Sequence, residues 1–86
     1  ANGLIFSPRV MLKLIESGLD KNKSYDLVQS LSMKSADENI NLENLCLENE
    51  VISSILSKEE ILEIFDFEFY LRYTKEQFIS LGWKID

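Results

Sequence analysis

The chain contains no histidine, which removes the side chain that most often moves protons near neutrality and most often binds transition metals. Its one thiol, Cys46, lies between Leu45 and Leu47. A nucleophilic thiolate needs a neighbouring cation or imidazole, so this apolar setting points to a buried structural thiol. Asp37, Asn39, Asn41 and Glu48 fall at positions one, three, five and twelve of a calcium-loop pattern, but Leu42 stands where the sharp turn of that loop requires glycine. The stretch therefore reads as a polar connection between helices. Glu59, Glu60, Glu63, Asp66 and Glu68 gather acid in one region, and a carboxylate pair can do acid–base work. Glu59 and Glu60 also sit where acid at a helix start is favoured by the helix dipole, and that reading accounts for them without chemistry. The remaining candidates are Ser7 and Arg9: a helix start beside a guanidinium is a reasonable anion site. A cap and an ion pair explain the same two residues.

Positioning these groups falls to a series of short helices. Ser7 reads as an N-cap, Pro8 suits the first helical position, and Phe6 with Met11 has the spacing of a hydrophobic staple. Val10, Met11, Leu12, Leu14 and Ile15 continue that helix, leaving mainly Lys13 and Glu16 for water. Gly18 ends it, and Leu19 is spaced to touch Leu14 as in a Schellman ending. Leu4-Ile5-Phe6 reads as the end of a preceding helix.

Asp20 caps a second helix, with Tyr25, Leu27, Val28 and Leu31 at helical spacing and an end near residues 36–38. Asn41 caps a third that carries Leu42, Leu45 and Cys46, and Val51, Ile52, Ile55 and Leu56 supply a fourth piece. Ser57-Lys58-Glu59-Glu60 is a capping box with Leu56 and Ile61 as its staple, opening a helix that reaches about Phe65. Thr74-Lys75-Glu76-Gln77 repeats the device, with Tyr73 and Phe78 as staple and Gly82 as terminator, after which Trp83 falls back towards Phe78. Between these boxes, Phe65-Asp66-Phe67-Glu68-Phe69 alternates with strand period over five positions only. A lone strand has no pairing partner, so the segment reads as a connector whose aromatics cover the core. The expected fold is all-α, a small bundle of about five to six helices.

Length and composition agree with one domain over residues 1–86. A chain of this size buries roughly 60–65% of its unfolded surface and has a single core. With 45% hydrophobic and 28% charged residues and one proline, it is a packed unit rather than a disordered one. A net charge of −6 with no basic cluster argues against nucleic-acid binding. Apolar runs of three residues, such as Val10-Met11-Leu12, are far below the roughly 20 needed to cross a bilayer. One cysteine cannot make an internal disulfide, and the simplest location is the cytoplasm. Methionine occurs only at positions 11 and 33, which fits an excerpt from a longer polypeptide.

The wording of the chain is more specific than its composition. Gly3-Leu4-Ile5-Phe6-Ser7-Pro8-Arg9-Val10-Met11-Leu12-Lys13-Leu14-Ile15-Glu16-Ser17-Gly18 closely resembles the opening of the C-terminal domain of bacterial adenylosuccinate lyases, GLIFSxRVLLxLxExG. Tyr25-Asp26-Leu27-Val28-Gln29 falls where that family carries AYxLVQ. Glu50-Val51, Ile55-Leu56-Ser57 and Glu59-Glu60-Ile61 are similar to its EV, LS and EEI elements. Phe65-Asp66 with Tyr70-Leu71 resembles FDPxYYL, and Gln77-Phe78 to Leu81-Gly82 is similar to the closing IFxRLG. The likeness runs through nearly the whole chain in order. Departures are Pro8 for glutamine, Ser24 for alanine, Phe67 for proline and Asn22-Lys23 for an acidic pair. They touch caps and turns, and the family places no catalytic role at these positions.

The resemblance implies the third domain of a homotetrameric, cytoplasmic lyase of purine and AMP biosynthesis. Such an enzyme eliminates fumarate from adenylosuccinate and from the succinylcarboxamide ribotide intermediate without metal or organic cofactor. A serine on a mobile loop acts as base there, and histidines of earlier domains serve acid catalysis and binding. None of those motifs lies in this chain, so the resemblance implies a structural domain beside the active-site cleft, inactive alone. Its partners are then the other domains and subunits of the tetramer. The same domain of a carboxymuconate cycloisomerase relative and a free-standing interaction module are the alternatives.

Overall fold

A computed structural model describes residues 2–66 together with 68, 71 and 72. Within them the chain forms α1 (Asn2–Glu16), α2 (Lys21–Glu38), α3 (Leu42–Glu48), α4 (Glu50–Ile55) and α5 (Lys58–Ile64), with no strand among the described residues. The all-α reading holds.

The start of α1 differs from expectation. Asn2 opens the helix and Pro8 lies inside it, so Ser7 is an interior residue rather than an N-cap, and Leu4-Ile5-Phe6 belongs to the same helix. An interior proline removes one backbone hydrogen bond and crowds the preceding turn, at a cost of about 3 kcal/mol. The spacing of the buried residues explains why the helix passes through it. Phe6, Val10 and Leu14 lie at i, i+4 and i+8 and are 6%, 1% and 0% exposed. Full burial of each such side chain contributes about 1.5–3 kcal/mol. A break at Ser7 would turn Phe6 off this stripe. Leu12 faces outward at 54% exposure, so α1 buries a narrower stripe than its composition suggests.

The ends of the helices follow the sequence closely. Gly18 adopts φ 110°, its amide donates to the Ile15 carbonyl and the Leu19 amide donates to the Leu14 carbonyl, both at 3.0 Å. This is the Schellman pair. Asp20 accepts from the amides of Asn22 and Lys23, and Asn41 Oδ1 accepts from Glu43. Asn39 ends α2 in the left-handed region at φ 54°, which asparagine tolerates better than most residues. Asn49 serves twice: its amide donates to the Cys46 carbonyl at the end of α3, and its side chain accepts from Ile52 at the start of α4.

Ser57 and Glu60 exchange both bonds of the capping box, at 3.1 and 3.0 Å, and their staple partners Leu56 and Ile61 are each 2% exposed. Phe65 ends α5 at φ −92°, ψ 2°, so the connector begins as a turn, and Glu68, Leu71 and Arg72 have helical backbone. Phe67, Phe69 and the whole second capping box, with Gly82 and Trp83, lie outside the described residues.

All five helices feed one core. Val10, Leu14, Val28, Leu42, Cys46, Ile52, Leu56, Ile61 and Ile64 form a continuous buried cluster, with Met11, Leu19, Leu27 and Leu31 packed against it. Helix α1 touches both α2 and α5, so it is the spine between two flanks of the domain.

Candidate functional site

Ser7 and Arg9 are two residues apart on that spine, which turns their side chains about 200° from each other around the helix. The structure therefore separates the two residues that sequence reasoning weighed as one anion site, against the preferred reading of a cap and an ion pair. Because α1 begins at Asn2, the amide of Ser7 is also inside the helix rather than at a free N-terminus.

The Arg9 flank faces α5. A guanidinium N–H of Arg9 donates to the Ile64 carbonyl at 2.5 Å, meeting one of the carbonyls that the end of a helix leaves without an intrahelical partner. A cation at this end is also favoured by the helix dipole. One turn away, Phe6 packs on Phe65 with ring centroids 5.1 Å apart, tilted by 41°. Lys13 Nζ lies 3.6 Å from Glu60 Oε2. Glu60 thus closes the capping box and meets a lysine. Its carboxyl is held below the usual range, chiefly by the backbone N–H of Ser57; desolvation, the next largest influence, opposes this, and the Ser57 hydroxyl and Lys13 add to the lowering. A lowered folded pKa means that Glu60 favours the fold above its ordinary titration range, and that this contribution disappears as pH falls through the lowered value. Arg9, Leu12, Lys13, Glu16, Glu60, Glu63 and Ile64 enclose only a small cavity, of about 150 Å³.

The Ser7 flank faces α2. Ser7 Oγ and Ser32 Oγ share a hydrogen bond of 2.6 Å, and beyond them a groove opens between α1, α2 and the turn into α3, with a volume of about 1070 Å³. Tyr25, Gln29, Ser32 and Ala36 line its α2 side, Ser7, Pro8 and Met11 its α1 side, and Asn39 to Leu42 its end. Every lining residue among those described is uncharged, in a chain that is 28% charged. Several of the polar groups are already engaged: Ser35 Oγ donates to the Ile40 carbonyl and Asn41 caps α3. The groove has no signature in the sequence, because no local pattern joins Ser7 to Ser32 and Ser35.

The other candidates resolve into structure. Cys46 is 1% exposed, and its thiol is pushed up to about 12, first by burial and then by the charge of Glu43. It stays protonated, and a protonated buried thiol is inert as a nucleophile. Because that value is raised, the folding advantage of the thiol is complete below its ordinary titration range and disappears as pH rises towards 12. Asp37 lies in α2, Asn39 and Asn41 serve the two helix ends, and Glu48 closes α3. Glu59 and Glu60 occupy the first turn of α5, as the dipole reading requires. Among the described residues no three His, Cys, Asp or Glu side chains gather into a metal-binding group, and no helix is long and apolar enough to cross a membrane.

The family profile described as "Adenylosuccinate lyase C-terminus" matches residues 3–81. The chain belongs to this family. Curated adenylosuccinate lyases are similar over most of its length: that of Thermotoga maritima is 40% identical over 88% of the chain. Those of Streptococcus mutans and Bacillus subtilis are 42% and 38% identical over 93% of it. In each case the match spans only 18–19% of the relative. What this adenylosuccinate lyase C-terminal domain holds is therefore less than a fifth of the length of those enzymes.

Proposed function

We propose that the chain acts as the C-terminal, architectural domain of a homotetrameric, cytoplasmic adenylosuccinate lyase, packed beside the active-site cleft and without catalytic groups of its own. The full enzyme eliminates fumarate from adenylosuccinate to give AMP and from the succinylcarboxamide ribotide intermediate of purine biosynthesis. The observation that carries this reading is the match over residues 3–81 to the C-terminus of that lyase family.

The chemistry supports the division of labour. Eliminating fumarate requires a base to take a proton from carbon and an acid to protonate the departing nitrogen. The chain offers no histidine, its thiol is buried, and Glu60 is engaged in a cap and an ion pair. Arg9 and Ser7 hold helices together.

Fumarate release from adenylosuccinate, followed in the ultraviolet, tests the reading when this polypeptide is compared with the full-length protein that carries it. Activity in the full-length protein alone is the expected result. Activity in neither would replace the lyase by a relative or a binding module, and activity in the short chain would place an active site within it.

A further inference from the structure

We infer that the uncharged groove between α1 and α2 is the seat of a helix from the remaining four fifths of the lyase polypeptide. This rests on the reading above, that the chain is one domain of a larger enzyme, and it names the surface by which that domain is held.

The form of the groove selects a helix. Its α2 side runs from Tyr25 to Asn39, a length of about 21 Å at 1.5 Å per residue. A volume of about 1070 Å³ lies at the upper end of the range of small-molecule pockets, roughly 1,000 Å³. Among the described residues the lining has no charge to hold an anion or a cation. The Ser7–Ser32, Ser35–Ile40 and Asn41–Glu43 bonds already take up much of its polar capacity. Such a surface binds by shape and by apolar contact around satisfied polar groups, as the core of a protein interface does. Tyr25, 54% exposed, stands at one end as the kind of amphipathic aromatic that anchors such contacts.

The source of the helix follows from coverage. The match reaches 88–93% of this chain but 18–19% of each relative, so the relatives carry about four times this length outside the matched region. A domain joined to so much further polypeptide needs a face to rest on it. Among the described residues the α1–α5 flank is closed by the Arg9 clamp, the Phe6–Phe65 contact and the Lys13–Glu60 pair, and the groove is the concave face that is not. The complementary helix presents uncharged, mostly apolar residues, because a charge seated there would be desolvated without a partner.

Alkylation of a groove cysteine reads the occupancy directly. Gln29→Cys places a thiol at an exposed position on the α2 wall, and Asn44→Cys places one at an exposed position outside the groove. Both variants are made in the 86-residue chain and in the full-length polypeptide, and iodoacetamide labelling is followed by mass spectrometry. Melting curves of the same short-chain variants establish that they remain folded. The expected result is slowing of Gln29→Cys by about tenfold or more in the full-length protein relative to the short chain, with Asn44→Cys unchanged.

Equal rates for Gln29→Cys in both would overturn the inference, since the groove would then stay open. Slow labelling in both, with Asn44→Cys fast, would also overturn it, because the groove would be covered by this chain itself or by a second copy. Fumarate release by the same full-length samples separates the two readings. Turnover with an open groove removes the docking surface alone, and a protected groove without turnover removes the lyase assignment alone.

Discussion

The two flanks of α1 are built from residues two positions apart and solve different problems. On one, Arg9 reaches the end of α5, Phe6 meets Phe65 and Lys13 approaches Glu60. Charge and aromatic surface are used within the domain, and almost no cavity is left. On the other, a hydroxyl pair joins Ser7 to Ser32, and the walls diverge into a groove with no charged residue among the described ones. The difference shows that a motif read as one binding unit from sequence can be two when its residues lie on opposite sides of a helix. One flank closes the domain on itself and the other offers a surface to something else.

Both flanks hang on the same buried stripe, so the largest effect comes from breaking it. Leu14→Ala removes a side chain that is fully buried, and it is expected to cost about 3 kcal/mol and to lower the melting midpoint by more than about 10 °C. A shift of a few degrees would show that α1 is not the spine.

Arg9→Met keeps much of the stem and deletes the guanidinium. It should destabilise by about 2 kcal/mol, the order of a charge-assisted hydrogen bond lost from a part-buried carbonyl, as read from urea unfolding. No loss would leave the closed flank to the Phe6–Phe65 contact and the Lys13–Glu60 pair.

Ser24→Ala has the opposite sign. Ser24 is 0% exposed and its Oγ has no hydrogen-bond partner among the described residues, so alanine removes an unmet desolvation cost and improves helix propensity. A gain of about 1 kcal/mol is expected, and a loss would mean that the hydroxyl has a bound partner. The smallest effect belongs to the open flank. Ser7→Ala and Ser32→Ala should each cost less than about 1 kcal/mol, and the double variant should cost no more than the larger single one, because both delete the same bond. Additive losses would assign the two hydroxyls separate roles.

Most of the fold was legible because the chain marks its helix ends locally. Gly18, Asp20, Asn41 and the Ser57–Glu60 box each act through bonds to residues within a few positions, and sequence spacing captures such bonds. The misreading at Ser7-Pro8 has the converse cause. A serine followed by proline is a strong local start signal, but the packing of Phe6 against residues more than fifty positions away carries the helix through it. Leu12 was misplaced for a related reason, since composition alone does not say which side of a helix finds a neighbour. The groove was illegible because it exists only once α1 and α2 lie side by side. Of the candidate site, the inert character of Cys46 and the capping role of Glu60 could be read from their neighbours. The separation of Ser7 from Arg9 required the helix to be extended back to Asn2.

The central claim is that this domain contributes architecture to a lyase whose chemistry lies elsewhere. Fumarate release by the full-length protein with and without residues 1–86, and by those residues alone, tests it most directly. The account predicts that the domain alone is inactive and that its removal lowers kcat/KM for adenylosuccinate. Normal turnover after its removal, or turnover by the domain alone, would contradict it.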